Sequence, residues 1–182
     1  ATLIPNVSQM CQQAKVPFVI FDQIPSDEAV LEQLEANPYY AGSVGTDNYA
    51  AGANMATRAL ESGCTKALIL GGAMGDPVHD ARINGFTETF EAGGGEVLAV
   101  AHCADPSEAV QKANDVLSAY GDVDCAYTTS ADYAVGLISA LESAGRAGEI
   151  PIYSNDVDPT VISGIRDGYV VAAKGAAGPY CG

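Results

Sequence analysis

Lys66-Ala67-Leu68-Ile69-Leu70 is an almost unbroken apolar run that empties into Gly71-Gly72-Ala73-Met74-Gly75, and the helical stripe Ile83, Phe86, Phe90 follows it. A strand wet on one face alternates polar and apolar residues, whereas a strand covered by helices on both faces is apolar throughout. The run therefore predicts a buried parallel strand that feeds a helix through a glycine-rich turn. The same grammar recurs outward in both directions. Further strands are predicted near Phe18–Phe21, Ser43–Gly45, Glu96–Ala101, Cys125–Thr128, Pro151–Tyr153 and Tyr169–Ala173. Short apolar runs alternating with helix-length segments predict an α/β fold, a three-layer αβα arrangement around a mostly parallel sheet.

Helix ends support this division. Asp105-Pro106-Ser107-Glu108 places an acidic cap, a first-turn proline and a glutamate where a helix opens. Its predicted buried stripe is Ala109, Val110, Ala113, Val116, Leu117 and Tyr120. Ser130 stands at the start of a helix with an apolar face of Ala134, Leu137, Ile138 and Leu141, closed by Gly145. The Ile83–Phe90 stripe ends at Gly93-Gly94-Gly95, another helix runs from Tyr49 to Ser62 before Gly63, and a short acidic helix is predicted near Asp27–Ala36.

The chain of 182 residues is long enough for one substantial core, and its longest apolar runs are too short to cross a bilayer. Twenty-three acidic against eight basic residues give a net charge of −15. A field of that sign repels phosphate backbones and anionic head groups, which disfavours nucleic-acid and membrane-surface partners and leaves neutral polar or cationic ligands open. The five cysteines, Cys11, Cys64, Cys103, Cys125 and Cys181, show no CxxC spacing and read as small buried apolar residues, with one bridge among them left open.

Chemistry-bearing motifs are sparse. Gly71–Gly75 fits neither GxGxxG nor GxxxxGK[ST]. His79-Asp80 and His102-Cys103 lack the spacing of a tetrahedral metal site, so no metal or other cofactor is expected. Asn155-Asp156-Val157-Asp158 resembles the DxD of some metal-dependent transferases, a pattern short enough to arise by chance. No GxSxG is present, and no nucleophile–base pairing points to an enzyme. What recurs is a position: Asp22, Thr46-Asp47, Ser130 and Asp156 all fall at the C-terminal ends of predicted strands, where open α/β sheets bind ligands. Arg82 opens the Ile83–Phe90 helix beside the same crevice. Asp47 reads as a helix cap, and Ser130 as either a cap or a contact. Asp22, Arg82 and Asp156 are the principal ligand candidates.

These residues also carry a likeness. Val16–Asp22, Val44-Gly45-Thr46-Asp47-Asn48 with Ala51-Gly52, Ala81-Arg82-Ile83-Asn84-Gly85-Phe86, Ser130–Gly136 and Ile152–Asp156 resemble, in order, successive blocks of type I periplasmic sugar-binding proteins. Effector domains of lactose-repressor-type regulators share that fold and several blocks. The resemblance implies two lobes closing over a ligand, with Asp22 leaving the first lobe and Arg82 gripping ring or hydroxyl oxygens. It implies that Asp156 accepts sugar hydroxyl protons and that Thr46 and Ser130 hold lesser polar positions. Gln23 stands where pentose binders often carry a second arginine.

By the same likeness, residues 1–45 correspond to a remnant of the first lobe plus a hinge crossing, 46–155 to the second lobe, and 156–182 to a hinge crossing and a return to the first. Most of the first lobe would then lie upstream. The implied protein is an extracytoplasmic receptor, periplasmic or lipid-anchored, that binds a neutral monosaccharide or related polyol and delivers it to the membrane permease of an ABC importer. Strands separated from their sheet leave unpaired edges, so the chain is expected to self-associate.

Overall fold

The run from Lys66 is an interior strand of a five-stranded sheet in the computed structural model, which describes residues 3–22, 25 and 27–175. Along the chain the elements are α1 (Leu3–Ala14), β1 (Phe18–Phe21), α2 (Glu28–Glu35), β2 (Tyr40–Val44), α3 (Asn48–Glu61), β3 (Lys66–Gly71), α4 (Pro77–Ala92) and β4 (Glu96–His102). A 3₁₀ turn (Pro106–Glu108) then leads into α5 (Ala109–Ala119), β5 (Cys125–Thr128), α6 (Ala131–Ser143), β6 (Ile152–Asn155), α7 (Pro159–Asp167) and β7 (Val170–Lys174). They group into two units, Ala1–Thr46 and Asp47–Gly182.

In the smaller unit, β1 and β2 pair in parallel from Phe18↔Tyr40 to Phe21↔Val44. Asn37 ties its helices down: the buried amide donates to Ser8 O and Ser8 Oγ, each at 2.9 Å, and its oxygen accepts from Tyr39 N–H at 3.0 Å. Asp27 caps α2 by accepting from Val30 N–H at 3.1 Å. Val19, Phe21 and Val44 leave a large part of their side chains exposed on the paired strands.

In the larger unit all pairings are parallel and the order is β4-β3-β5-β6-β7. One face packs Met55, Ala56 and Ala59 of α3 and Ile83, Phe86 and Phe90 of α4 against Ile69, Tyr127 and Tyr153. The other packs Ala109, Ala113 and Leu117 of α5, Leu137 and Leu141 of α6, and Val161 of α7 against Leu68, Leu70 and Ile152. This is the expected three-layer α/β/α fold. Burying several whole aliphatic side chains, each worth about 2 kcal/mol, is what holds the layers together. Within the predicted α5 stripe, Val110 departs by remaining 40% exposed.

The expected return of residues 156–182 to the first lobe requires correction. Asp158 caps α7 by accepting from Val161 N–H at 2.7 Å, Pro159 sits in the first turn, and β7 pairs with β6 from Ile152↔Val170 to Asn155↔Lys174. This segment is a βαβ unit of the larger sheet, because Val161 and Val170 bury fully or nearly so in its core. Residues 176–182 lie outside the described residues. Cys64, Cys103 and Cys125 are buried and Cys11 half-buried, all four as free thiols, while Cys181 lies outside the described residues. Among the described residues, no helix is long and apolar enough to cross a membrane.

Candidate functional site at the strand ends

Because β4 lies on one side of β3 and β5 on the other, the connections leaving β3 and β5 part at their C-terminal ends. That divergence opens the crevice in which parallel sheets bind ligands. Arg82 comes from the second turn of α4, Thr129 directly follows β5, and Asp156 directly follows β6.

These three groups meet. Arg82 Nη1 donates to Asp156 Oδ2 at 2.8 Å and to the Thr129 carbonyl at 2.6 Å, and Nε donates to Asn48 Oδ1 at 3.0 Å. Arg82 is only 7% exposed, whereas the Asp156 side chain remains about one-third open to solvent. A buried guanidinium requires a paired charge and hydrogen-bonded donors, and the three oxygens supply both. None of these bonds uses Nη2.

Two glycines set the position of α4. A Cβ on Gly52 would stand 2.0 Å from the Arg82 carbonyl oxygen, and one on Gly85 would stand 2.1 Å from the Tyr49 carbonyl oxygen. Helices α3 and α4 therefore touch backbone to backbone, which puts Asn48, one turn before Gly52, within reach of Arg82.

Asp156 holds a left-handed backbone conformation, φ 64°, and its N–H donates to the Lys174 carbonyl at 2.7 Å. The smaller unit uses the same device. Asp22 follows β1 with φ 67°, and its N–H donates to the Val44 carbonyl at 2.7 Å. Each aspartate thus leaves its strand in a conformation L-residues seldom adopt, pinned to the last residue of the neighbouring parallel strand. Such strain persists where the surroundings enforce it and concentrates at functional sites.

A supporting layer lies beneath Arg82. His79 Nδ1 is 2.8 Å from Thr129 Oγ1, and its ring meets Tyr133 edge-on at 5.6 Å between centroids. Gly72 leaves room for that ring, since a Cβ there would approach it to 2.2 Å. Burial holds the His79 pKa below 6.5 and the Arg82 charge adds to this, while Asp76, Asp80 and Asp156 pull the other way. Tyr127 stacks on Phe86 at 4.4 Å, and burial pushes its phenol pKa upward. Its hydroxyl and both side-chain polar atoms of Asn155 are buried without a partner among the described residues. Unpaired buried polar atoms beside a ligand crevice are rare enough to mark places for ordered water.

Of the sequence candidates, Arg82 and Asp156 come together across 74 positions. Asp22 belongs to the smaller unit and is exposed. Thr46 is half-buried in the connection from β2 to α3. Ser130 occupies the cap position of α6 without making a side-chain capping bond, and Asp47 caps α3 by accepting from Ala50 N–H at 2.9 Å. Gln23 lies outside the described residues. Sequence reasoning missed Asn48, His79 and the Thr129 carbonyl; the signal for Asn48 was its place between the Asp47 cap and Gly52. A separate groove of about 820 Å³, lined by Arg58, Glu61, Ile165, Val171 and Lys174 among others, takes none of its lining from Arg82, Thr129 or Asp156.

Comparison with known proteins agrees with this architecture. The family described as periplasmic binding protein domain matches residues 2–176. The ribose import binding protein of Salmonella typhimurium is 24% identical over 170 residues, which are 93% of this chain and 54% of the relative, and that of Escherichia coli is 22% identical over the same shares. The chain spans about half the length of the curated relatives it matches. Among solved structures, a sugar ABC transporter sugar-binding protein from Bacillus halodurans superposes with a TM-score of 0.78 at 28% identity, covering 92% of this chain and 55% of that one. An ABC transporter periplasmic solute-binding protein from Actinobacillus succinogenes, solved with D-allose, gives 0.79 at 22% identity over 91% and 59%. With a crevice of the right place and a family match over nearly its whole length, this chain belongs to the periplasmic binding protein family.

Proposed function

We propose that this chain is part of an extracytoplasmic receptor that captures a neutral monosaccharide or related polyol for the membrane permease of an ABC importer. The observation that carries the reading is the Arg82–Asp156 pair, buried on one side and open on the other, at the sheet's switch point. An ionised carboxylate is acceptor-only and takes hydrogen bonds from two adjacent hydroxyls, while a guanidinium supplies donors to ring and hydroxyl oxygens. In this role the free edge of the Asp156 carboxylate receives sugar hydroxyls, and Arg82 Nη2 donates to a sugar oxygen. Because Arg82 already neutralises one carboxylate and the chain carries a net charge of −15, a neutral ligand fits better than an anionic one. Within the same unit Ser130 is a lesser contact, and by family likeness Asp22, Gln23 and Thr46 are further candidate ligand residues. The ligand is bound and released unchanged, consistent with a solute-binding family.

An effector domain of a lactose-repressor-type regulator is the other reading of this fold. The import binding proteins among the relatives and the acidic surface both favour the receptor. A thermal-shift screen against pentoses, hexoses, polyols and sugar phosphates tests the proposal. Stabilisation by one neutral sugar supports it, and stabilisation by sugar phosphates alone would overturn it.

A further inference from the structure

At the other end of the larger sheet, the entries of β3 and β5 bring together residues far apart in sequence. Cys64 Sγ, Cys125 Sγ and a carboxylate oxygen of Asp124 all lie within 4.8 Å of one another. The arrangement is held firmly. Gly63 turns the chain out of α3 at φ 84°. The Asp124 carboxylate accepts from Thr65 N–H at 2.9 Å, Thr65 Oγ1 at 2.7 Å and Lys66 N–H at 2.9 Å, while Asp124 N–H donates to the Lys66 carbonyl at 3.0 Å. The Tyr153 hydroxyl lies 3.7 Å from Cys64 Sγ. Cys125 and Tyr153 are fully buried and Cys64 is 7% exposed, so the cluster sits at the edge of the core and Cys64 carries its less buried sulfur.

We propose that Cys64, Cys125 and Asp124 form a site for a soft divalent cation such as zinc, which staples the entry of β3 to that of β5. Thiolates select soft cations, and a carboxylate completes mixed sulfur–oxygen sets. Two thiolates about 2.3 Å from a tetrahedral ion stand roughly 3.8 Å apart, which fits inside the observed limit. A disulfide needs a sulfur separation near 2.05 Å and a restricted torsion, so a bridging ion asks less of this backbone. Each thiol gives up its proton on ligation, and the Tyr153 hydroxyl or a water fills the fourth position. This site is independent of the sugar crevice.

The test is titration of the reduced protein with Cd²⁺, in a Cys11→Ser, Cys181→Ser background, read by sulfur-to-cadmium charge-transfer absorption and by thermal melting. One equivalent should produce the band and raise the melting temperature, and Cys64→Ser and Cys125→Ser should each abolish both effects. Cys64→Ser, at the less buried of the two thiols, should melt without metal closer to the parent than Cys125→Ser, and it decides the matter if Cys125→Ser does not fold. No band at one equivalent, a band that survives Cys64→Ser, or a Cys64–Cys125 disulfide found by mass spectrometry would overturn the proposal.

Discussion

Gly52 and Gly85 let α3 and α4 meet without side chains between them: each glycine faces the other helix's backbone, and an added Cβ would come within 2.0 and 2.1 Å of a carbonyl oxygen. This contact fixes the Asn48–Arg82 hydrogen bond one turn away. Gly52→Ala and Gly85→Ala should therefore each lower stability by about 2 kcal/mol or more, at the upper end of overpacking costs, because the obstacle is backbone rather than a mobile side chain. Urea denaturation measures the loss, and midpoints equal to the parent's would show that the helices can separate freely.

The left-handed residues separate strain that serves function from strain that does not. Lys15 (φ 56°) ends α1, with Val16 N–H donating to the Cys11 carbonyl at 2.9 Å, a helix-terminating turn that glycine performs best. Lys15→Gly should stabilise by about 0.5–1 kcal/mol and leave ligand affinity alone. Asp22→Gly relieves the same strain at an exposed position and should also not destabilise the fold, yet it removes a proposed acceptor and should weaken sugar binding. Equal affinities for Asp22→Gly and the parent would remove Asp22 from the site.

His79 gives the fold a pH dependence of known sign. Its folded-state pKa is lowered by burial, so below pH 6.5 the unfolded chain takes up the proton first. The His79 contribution to stability should be full above that pH, fall as the pH drops through the window down to the lower folded value, and then level off. Asp76, Asp80, Arg82, Asp156 and Tyr133 face or adjoin the ring and set the width of the window. His79→Gln should flatten the urea midpoint across it. An undiminished slope in that variant would assign the dependence elsewhere.

Among the described residues, exposed Val19, Phe21 and Val44 lie on a sheet of two strands, and exposed apolar strands of this kind favour pairing with other copies. The chain should self-associate at high concentration, and Phe21→Ser with Val44→Thr should reduce this. A monomeric mass of the parent by light scattering contradicts the expectation.

Much of the layering was legible because it is local. A short continuous apolar run such as Leu68–Leu70, cut off by Gly71-Gly72, points to a doubly covered strand, and Asp27, Asp47 and Gly145 announce helix ends through one side chain or one missing Cβ. Helix α7 has its signal in Asp158-Pro159, but Asp158 also completes the Asn155–Asp158 acidic pattern, which hides the cap and with it the β6–α7–β7 unit. Helix α1 carries neither an acidic first turn nor a basic last turn and gave no end signal. The Arg82–Asp156 contact depends on sheet order over 74 positions, which spacing does not encode; strand-end position and family likeness point both residues at one crevice without pairing them. Asn48 and the Thr129 carbonyl stayed hidden because one acts through a helix crossing and the other is backbone.

The most direct measurement is calorimetric titration of the sugar selected by the thermal-shift screen into the parent protein, Arg82→Ala and Asp156→Asn. Each variant removes one side of a pair whose free edge faces the crevice, so each should lose at least about tenfold in affinity, or 1.4 kcal/mol. Affinities unchanged in both variants would contradict the account.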